Sequence, residues 1–338
     1  RVDYGRTHHD YPATDIFAAR GCAFGDFDND GNLDLLSVNG GLSGRGINHL
    51  FRNLGGGRFE RILEGHLVTD STGHAGSAWG YYDNDGDLDL YVGNTIFTQP
   101  TSHLYRNDGS FRLTRITDSP VVTDSGPTLG GAWGDYDNDG DLDLAVATPN
   151  GYVDWLYRNE GNGRFVRVTE TGDFGLDGNG DFALHWVDYD NDGDLDLFAA
   201  NWGAPSVVYT NVGNGRFDRF DHGDLGRLIT TAASTSWGDI DSDGDLDLIV
   251  GTWPNYPGPL EEDHIYRNDS LNKGWLGVRL VGTRSNRSGI GARGGGGGEG
   301  AVRLWGVAGL TLASAAGAWV DGVPCASVRR MRPSLSRI

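Results

Sequence analysis

The chain has 338 residues and a formal net charge of −20, from 47 acidic against 27 basic side chains. So acidic a composition disfavours nucleic acid as a partner, because phosphate binding needs a basic face. Fifty-five glycines, one methionine and a single lysine, Lys273, point to a turn-dense β protein and away from helices.

Residues 1–20 hold no clear copy of the unit that follows. From Phe24, FGDFDNDGNLDLLSVN predicts a strand, an acidic loop and a second strand. HLFRNLGGGRFERI, from His49, predicts two short strands joined by a Gly-rich hairpin turn. The pair of halves returns as WGYYDNDGDLDLYVGN from Trp79 with HLYRNDGSFRLTRI from His103, and as WGDYDNDGDLDLAVAT from Trp133 with WLYRNEGNGRFVRV from Trp155. It returns again as WVDYDNDGDLDLFAAN from Trp186 with VVYTNVGNGRFDRF from Val207, and last as WGDIDSDGDLDLIVGT from Trp237 with a partial HIYRNDS from His264. Between Asp28, Asp83, Asp137, Asp190 and Asp241 the steps are 55, 54, 53 and 51 residues. A regular unit of four short strands predicts an all-β fold, a β-propeller of four-stranded blades. The large apolar residue before each loop (Phe24, Trp79, Trp133, Trp186, Trp237) is expected between blades, and Cys22 is expected to be a small buried residue on a core strand.

In the third loop, Asp135, Asp137, Asp139 and Asp143 occupy positions 1, 3, 5 and 9, with Gly140 at position 6 and Asp141 at position 7. Alternating carboxylates, a tight glycine turn, a backbone carbonyl at position 7 and a further ligand at position 9 are the pattern of a calcium loop. The same positions hold Asp26, Asp28, Asp30, Asn32 and Asp34 in the first loop. They hold Asp188, Asp190, Asp192, Asp194 and Asp196 in the fourth, and Asp239, Asp241, Asp243, Asp245 and Asp247 in the fifth. The second loop keeps Asp83, Asp85, Asp87 and Asp89 but has Tyr81 at position 1, so weaker binding or a water in place of the missing ligand is expected there. An EF-hand is excluded, since position 12 of the first loop is Ser37 and the flanks read as strands. Crowded carboxylates repel one another without a cation, so up to five Ca2+ ions are expected, each tying a loop between two strands.

These repeats resemble the FG-GAP/VCBS family, whose blades carry Asp-rich calcium loops as in integrin α-subunits. The resemblance implies an extracellular calcium-binding propeller of the adhesion or ligand-binding kind, usually with seven blades. Five loops are visible, so the chain reads as part of a larger propeller. WLGVRLVGTRSNRSGIGAR, residues 275–293, resembles the start of an ASPIC/UnbV domain. The expected division is a propeller over 1–273, the start of that second domain over 274–293, and an atypical tail over 294–338. The tail turns abruptly Gly-, Ala- and Arg-rich and reads as frame-shifted or disordered. Its uncharged stretch 304–320 is only 17 residues long, at the lower limit for a span, so no membrane partner is expected.

Of the acidic residues, 23 lie in the five loops. Open calcium loops suit millimolar calcium, which places the protein outside the cell, secreted, at the cell surface or in the periplasm. NTIFTQPTS, NWGAPS and TWPNYPGPLEED fall between the second and third strands of their units, and they put Trp202, Trp253 and Tyr256 at one rim as contacts for a protein or glycan ligand. His49, His103 and His264 share one slot of the repeat, whereas His74 and His185 stand at or near first strands, where a channel site is conceivable. No nucleophile and base accompany them, so a non-catalytic module is expected; the competing reading is a polysaccharide hydrolase or lyase, or a non-catalytic domain of one.

Overall fold

The computed structural model describes residues 19–40, 46–70, 73–94, 101–149, 151–176, 178, 180–220, 225, 229–241, 243–252 and 263–269, with the backbone of five short strands between 275 and 321. Blade 1 is β1 (Ala19–Gly25), β2 (Asp34–Asn39), β3 (His49–Asn53) and β4 (Phe59–Ile62). After a one-turn helix, α1 (His66–Thr69), blade 2 follows as β5 (His74–Gly80), β6 (Asp89–Asn94), β7 (His103–Asn107) and β8 (Leu113–Arg115). A second such helix, α2 (Pro120–Thr123), leads to blade 3: β9 (Gly131–Gly134), β10 (Asp143–Val146), β11 (Trp155–Asn159) and β12 (Phe165–Val168). Blade 4 is β13 (Asp181–Val187), β14 (Asp196–Pro205), β15 (Val207–Asn211) and β16 (Phe217–Phe220), and blade 5 is described as β17 (Ile229–Gly238), β18 (Asp247–Thr252) and β19 (His264–Tyr266). Within each blade the strands pair antiparallel in chain order, as a meander of a propeller requires. The two helices are too short to give a sequence period; Ser119 caps α2 by accepting from the Val121 N–H, with Pro120 just inside.

The core lies between blades. Leu36 and Leu50 of blade 1 pack on Leu90, Val92 and Tyr105 of blade 2, and Tyr91 and Leu104 of blade 2 pack on Leu144, Val146 and Tyr157 of blade 3. Ala145 and Leu156 meet Leu197, Ala199 and Tyr209, and Phe198 and Val208 meet Leu248 and Val250. Each fully buried Leu or Phe stabilises by about 1.5–3 kcal/mol, so the sheets hold by their faces rather than their edges. Glycine ends the first strand where an indole must come close: a Cβ on Gly80 would lie 2.7 Å from Trp133 and one on Gly134 2.5 Å from Trp186.

Three expectations change. Phe24 is 60% exposed rather than packed between blades, and Cys22 is exposed rather than buried. The segment expected as a rim loop at 201–206 instead continues β14, whose Trp202, Ala204 and Pro205 pair with Thr231, Thr230 and Ile229 of β17, joining blades 4 and 5 into one sheet. Toward the C-terminus, β20 (Trp275–Arg279) runs parallel to β22 (Ala301–Trp305), which pairs with β23 (Ala313–Ser314), and β21 (Arg293–Gly295) pairs with β24 (Trp319–Asp321). Residues 280–292, and most of 294–338, lie outside the described residues. No helix among the described residues is long and apolar enough to cross a membrane.

Candidate metal centre

Each acidic loop connects the first strand of its blade to the second. Its backbone is set by the residue types: Asn138 at position 4 adopts a left-handed φ of 59° and Gly140 at position 6 a φ of 95°; Asn29, Asn84 and Asn191 repeat the first, and Gly31, Gly86, Gly193 and Gly244 the second. That double turn brings positions 1, 3 and 9 together. In blades 1, 3, 4 and 5 a carboxylate oxygen from each (Asp26, Asp28, Asp34; Asp135, Asp137, Asp143; Asp188, Asp190, Asp196; Asp239, Asp241, Asp247) lies within 4.8 Å of the other two. The second loop, with Tyr81 at position 1, forms no such triad among the described residues.

The positions divide the labour. Position 9 clamps the blade: Asp143 Oδ2 accepts from the Tyr136 N–H at 3.2 Å and its Oδ1 from the Asn159 N–H of the third strand at 2.8 Å. Asp34, Asp89, Asp196 and Asp247 do the same in their blades. Position 5 turns one oxygen to its own loop, Asp139 Oδ1 accepting from the Asp141 N–H at 2.8 Å, with Asp30, Asp85, Asp192 and Asp243 alike. Position 7 faces the preceding blade. The amides of Asn29, Asn84, Asn138 and Asn191 donate to the carboxylates of Asp87, Asp141, Asp194 and Asp245 at 2.5–2.8 Å, so the loops form a ladder across four blade junctions.

Sequence reasoning passed over the asparagine that ends the third strand, or in blade 5 follows it by two residues. Asn107, Asn159, Asn211 and Asn268 donate through Nδ2 to the position-2 carbonyls of Phe27, Tyr82, Tyr136 and Tyr189 in the blade before. The repeated RN, or TN in blade 4, was its signal. Arg52 is also distinctive: its Nη2 lies 2.6 Å from Asp28 Oδ2, whereas Arg106, Arg158 and Arg267 turn to the acid two residues on, Asp108, Glu160 and Asp269. Blade 1 has Leu54 at that place, which leaves Arg52 to the loop.

Burial dominates the electrostatics. It pushes the carboxyl of Asp34 up to about 6, Asp188 to about 7, Asp89 and Asp196 to about 8 and Asp143 to about 9, with neighbouring aspartates adding to the rise. Asp239 Oδ1 is buried with no hydrogen-bond donor among the described residues. Buried, mutually repelling oxygens with unused lone pairs are stabilised by a cation, and a donor set of carboxylate oxygens without nitrogen or sulfur fits a hard divalent ion of the Ca2+ type.

The other candidates fall elsewhere. His185 is half-buried and its Nε2 lies 2.7 Å from Thr235 Oγ1, while His74 stacks edge-on to His103 at 5.3 Å; desolvation lowers the pKa of all three imidazoles. His103 Nε2 faces the Arg115 guanidinium, which pairs with Asp70, so these histidines belong to a packed network. Trp253, Tyr256 and the side chain of Trp202 lie outside the described residues. A polar groove of about 320 Å³ between blades 2 and 3, lined by Asp83, Arg106, Asp118, Asn162 and Arg164, is open to solvent.

Among known proteins, a family model described as FG-GAP-like repeat matches residues 26–92, 135–199 and 188–250. No curated protein matches the chain. A lectin of Agrocybe aegerita described as recognising non-reducing terminal N-acetylglucosamine is 19% identical over 74% of this chain and 66% of its own, with a TM-score of 0.48. The Tc holotoxin pore of Photorhabdus luminescens is 19% identical over 75% of this chain and 11% of its own (TM-score 0.43). The BP39L lectin of Burkholderia pseudomallei is 11% identical over 68% and 63% (TM-score 0.45). The chain thus spans just under two thirds of either lectin and a small part of the toxin.

Proposed function

The chain belongs to the FG-GAP-like repeat family, and from that premise we propose a calcium-stabilised β-propeller that serves outside the cell as a non-catalytic adhesion or ligand-binding module for a protein or glycan. One observation carries this reading. The same three-carboxylate constellation is built in blades 1, 3, 4 and 5, each time stitched by position 9 to its own third strand. A constellation repeated in four blades and tied each time into its own blade supports a structural role, since metal binding at such a loop adds folding free energy.

Calcium bound at these loops would neutralise the buried carboxylates. The triads would hold it, positions 5 and 7 would shape the turn, and the second loop would bind weakly or not at all. Sites of this open kind match extracellular calcium levels. The variable segments between second and third strands, and the polar groove between blades 2 and 3, are where a polar ligand would meet the protein.

Calorimetric calcium titration with thermal melts in calcium and in chelator tests the reading. About four strong sites and a large fall in melting temperature in chelator are expected. Neither heat nor shift would remove calcium from the account and make the acidic loops themselves the interaction surface.

A further inference from the structure

The fourth strand is the outer edge of its blade, and an edge turns unpaired N–H and C=O groups outward. In blade 4 the Val212 N–H donates to the Arg216 carbonyl, so the next pair, Asn211 and Phe217, is a non-hydrogen-bonded one and Phe217 directs its N–H and C=O away from its own blade. The connection from blade 3 pairs with them. The Phe217 N–H donates to the Thr171 carbonyl at 3.0 Å, the Asp173 N–H to the Phe217 carbonyl at 2.8 Å and the Arg219 N–H to Asp173 Oδ2 at 3.0 Å, with Gly172 in parallel register with Phe217. Between blades 1 and 2 a side chain fills the corresponding place: the Phe111 ring of the blade 2 hairpin lies 6.3 Å from that of Phe27 and under the Arg52 guanidinium at 5.6 Å.

Between blades 2 and 3 neither device is present among the described residues. Gly163 stands in the hairpin where blade 2 has Phe111. Ser119 stands in the connection where blade 3 has Thr171, three residues past the last one bonded to the third strand (Ile116 and Val168), but its carbonyl accepts from the Val122 and Thr123 N–H groups and is consumed by α2. What remains is the groove of about 320 Å³, lined by Tyr82, Arg106, Ser119, Gly163, Arg164 and Phe165. The Glu160 N–H donates to the Arg164 carbonyl at 2.8 Å, so by the same alternation Phe165 turns its N–H and C=O, and Arg167 its N–H, to the outer edge. No partner reaches these three groups among the described residues.

We propose that this groove binds an extended peptide with a Gly-Asp sequence by strand addition to β12. The peptide lies parallel to β12, as residues 171–173 lie beside Phe217 at the next junction: the carbonyl before its glycine accepts from the Phe165 N–H, the N–H of its aspartate donates to the Phe165 carbonyl, and the aspartate carboxylate accepts from the Arg167 N–H. Glycine is needed between the two contacts, since a Cβ on Gly172 would lie 2.6 Å from the Phe217 carbonyl oxygen. The proposal rests on the reading of the chain as a ligand-binding module and names the chemistry of its ligand. An oligosaccharide bearing only hydroxyl groups lacks the alternating amide N–H and C=O that such an edge pairs with.

Calorimetric titration of the whole chain in calcium with acetyl-Glu-Thr-Gly-Asp-amide, the sequence of residues 170–173, tests this. The expected result is saturable binding of one peptide per chain, with hydrogen exchange slowed at the Phe165 and Arg167 amides. Methylating the aspartate nitrogen of the peptide deletes the donor to the Phe165 carbonyl and weakens binding about tenfold or more. Arg164→Glu, at a side chain that is 75% exposed and so leaves the fold intact, reverses a charge at the mouth of the groove and also weakens binding. A methylated peptide that binds as well as the parent peptide, or slowed exchange elsewhere than at Phe165, overturns strand addition at this groove. No heat from the peptide, in a protein whose melting still depends on calcium, overturns the proposal and leaves the calcium-stabilised module standing; an uncharged oligosaccharide that slows exchange at Phe165 instead overturns it in favour of a glycan.

Discussion

Replacing Asp143 by asparagine separates what position 9 does through hydrogen bonds from what it does through a cation. The side chain is fully buried and accepts from two backbone N–H groups, of Tyr136 and Asn159. Asparagine retains one acceptor oxygen and turns an NH2 toward the other donor, which costs about 1–3 kcal/mol. In calcium a second loss is added: a site filled at a hundred times its Kd contributes about 2.7 kcal/mol, and a hundredfold loss of affinity removes nearly all of it. In chelator the balance differs, because burial pushes the Asp143 carboxyl up to about 9, so at neutral pH the metal-free side chain is already a neutral acid that asparagine resembles. The substitution is therefore expected to cost about 4–6 kcal/mol in calcium and under about 1 kcal/mol in chelator. Urea unfolding followed by tryptophan fluorescence, compared at the transition midpoints in both conditions, reads the difference. Equal losses with and without calcium would refute the assignment of Asp143 as a ligand and leave it a hydrogen-bonding clamp only.

Further outcomes follow from the same geometry. Asn138→Gly keeps the left-handed backbone and deletes the 2.8 Å bond to Asp194, so it should lower stability by about 0.5–1.5 kcal/mol in a urea titration; no change would show that the ladder is incidental. Tyr81→Asp restores the first carboxylate of the second loop, and calorimetry should count one more strong calcium site than in the parent. Raised carboxyl pKa values favour the acid form in the fold, so the stability they contribute to the metal-free protein is full below about pH 4 and is lost as pH rises through 6 to 9. His74 and His103, lowered by burial to about 4 and about 3, work oppositely and withdraw stability as pH falls below about 6.5. Melting temperature in chelator should thus peak in mildly acid solution and fall toward pH 9, while the calcium-induced rise grows; a rise equal at pH 6 and 8.5 would contradict this. Gly134→Val would set a side chain 2.5 Å from Trp186 and should cost about 1–3 kcal/mol by overpacking.

The repeat made much of this protein readable from its residues alone. Spacing and alternation are local properties, so the four-strand unit, the Asp loops at the turn between first and second strands and the carboxylate absent at Tyr81 were all legible. Positions 1, 3 and 9, read from the sequence among a wider set at 1, 3, 5, 7 and 9, come together because glycine and asparagine in left-handed conformations dictate the turn within nine residues. What the repeat could not tell was how a position identical in each copy is used once copies meet. Asp141 and Asp194 read as loop carboxylates, yet each holds an asparagine of the blade before. The asparagines at the ends of the third strands carried no assigned role in the sequence, yet Asn107, Asn159, Asn211 and Asn268 each bridge two blades. Phe24 reads as the equal of four tryptophans and stands exposed, because burial belongs to the neighbour and not to the residue. The sequence by itself determined the blade and its acidic loop, whose triad lies within one unit of about 50 residues. Only the tertiary structure decided which faces are covered, since those contacts join residues a whole unit apart in the chain and depend on which blade stands beside which.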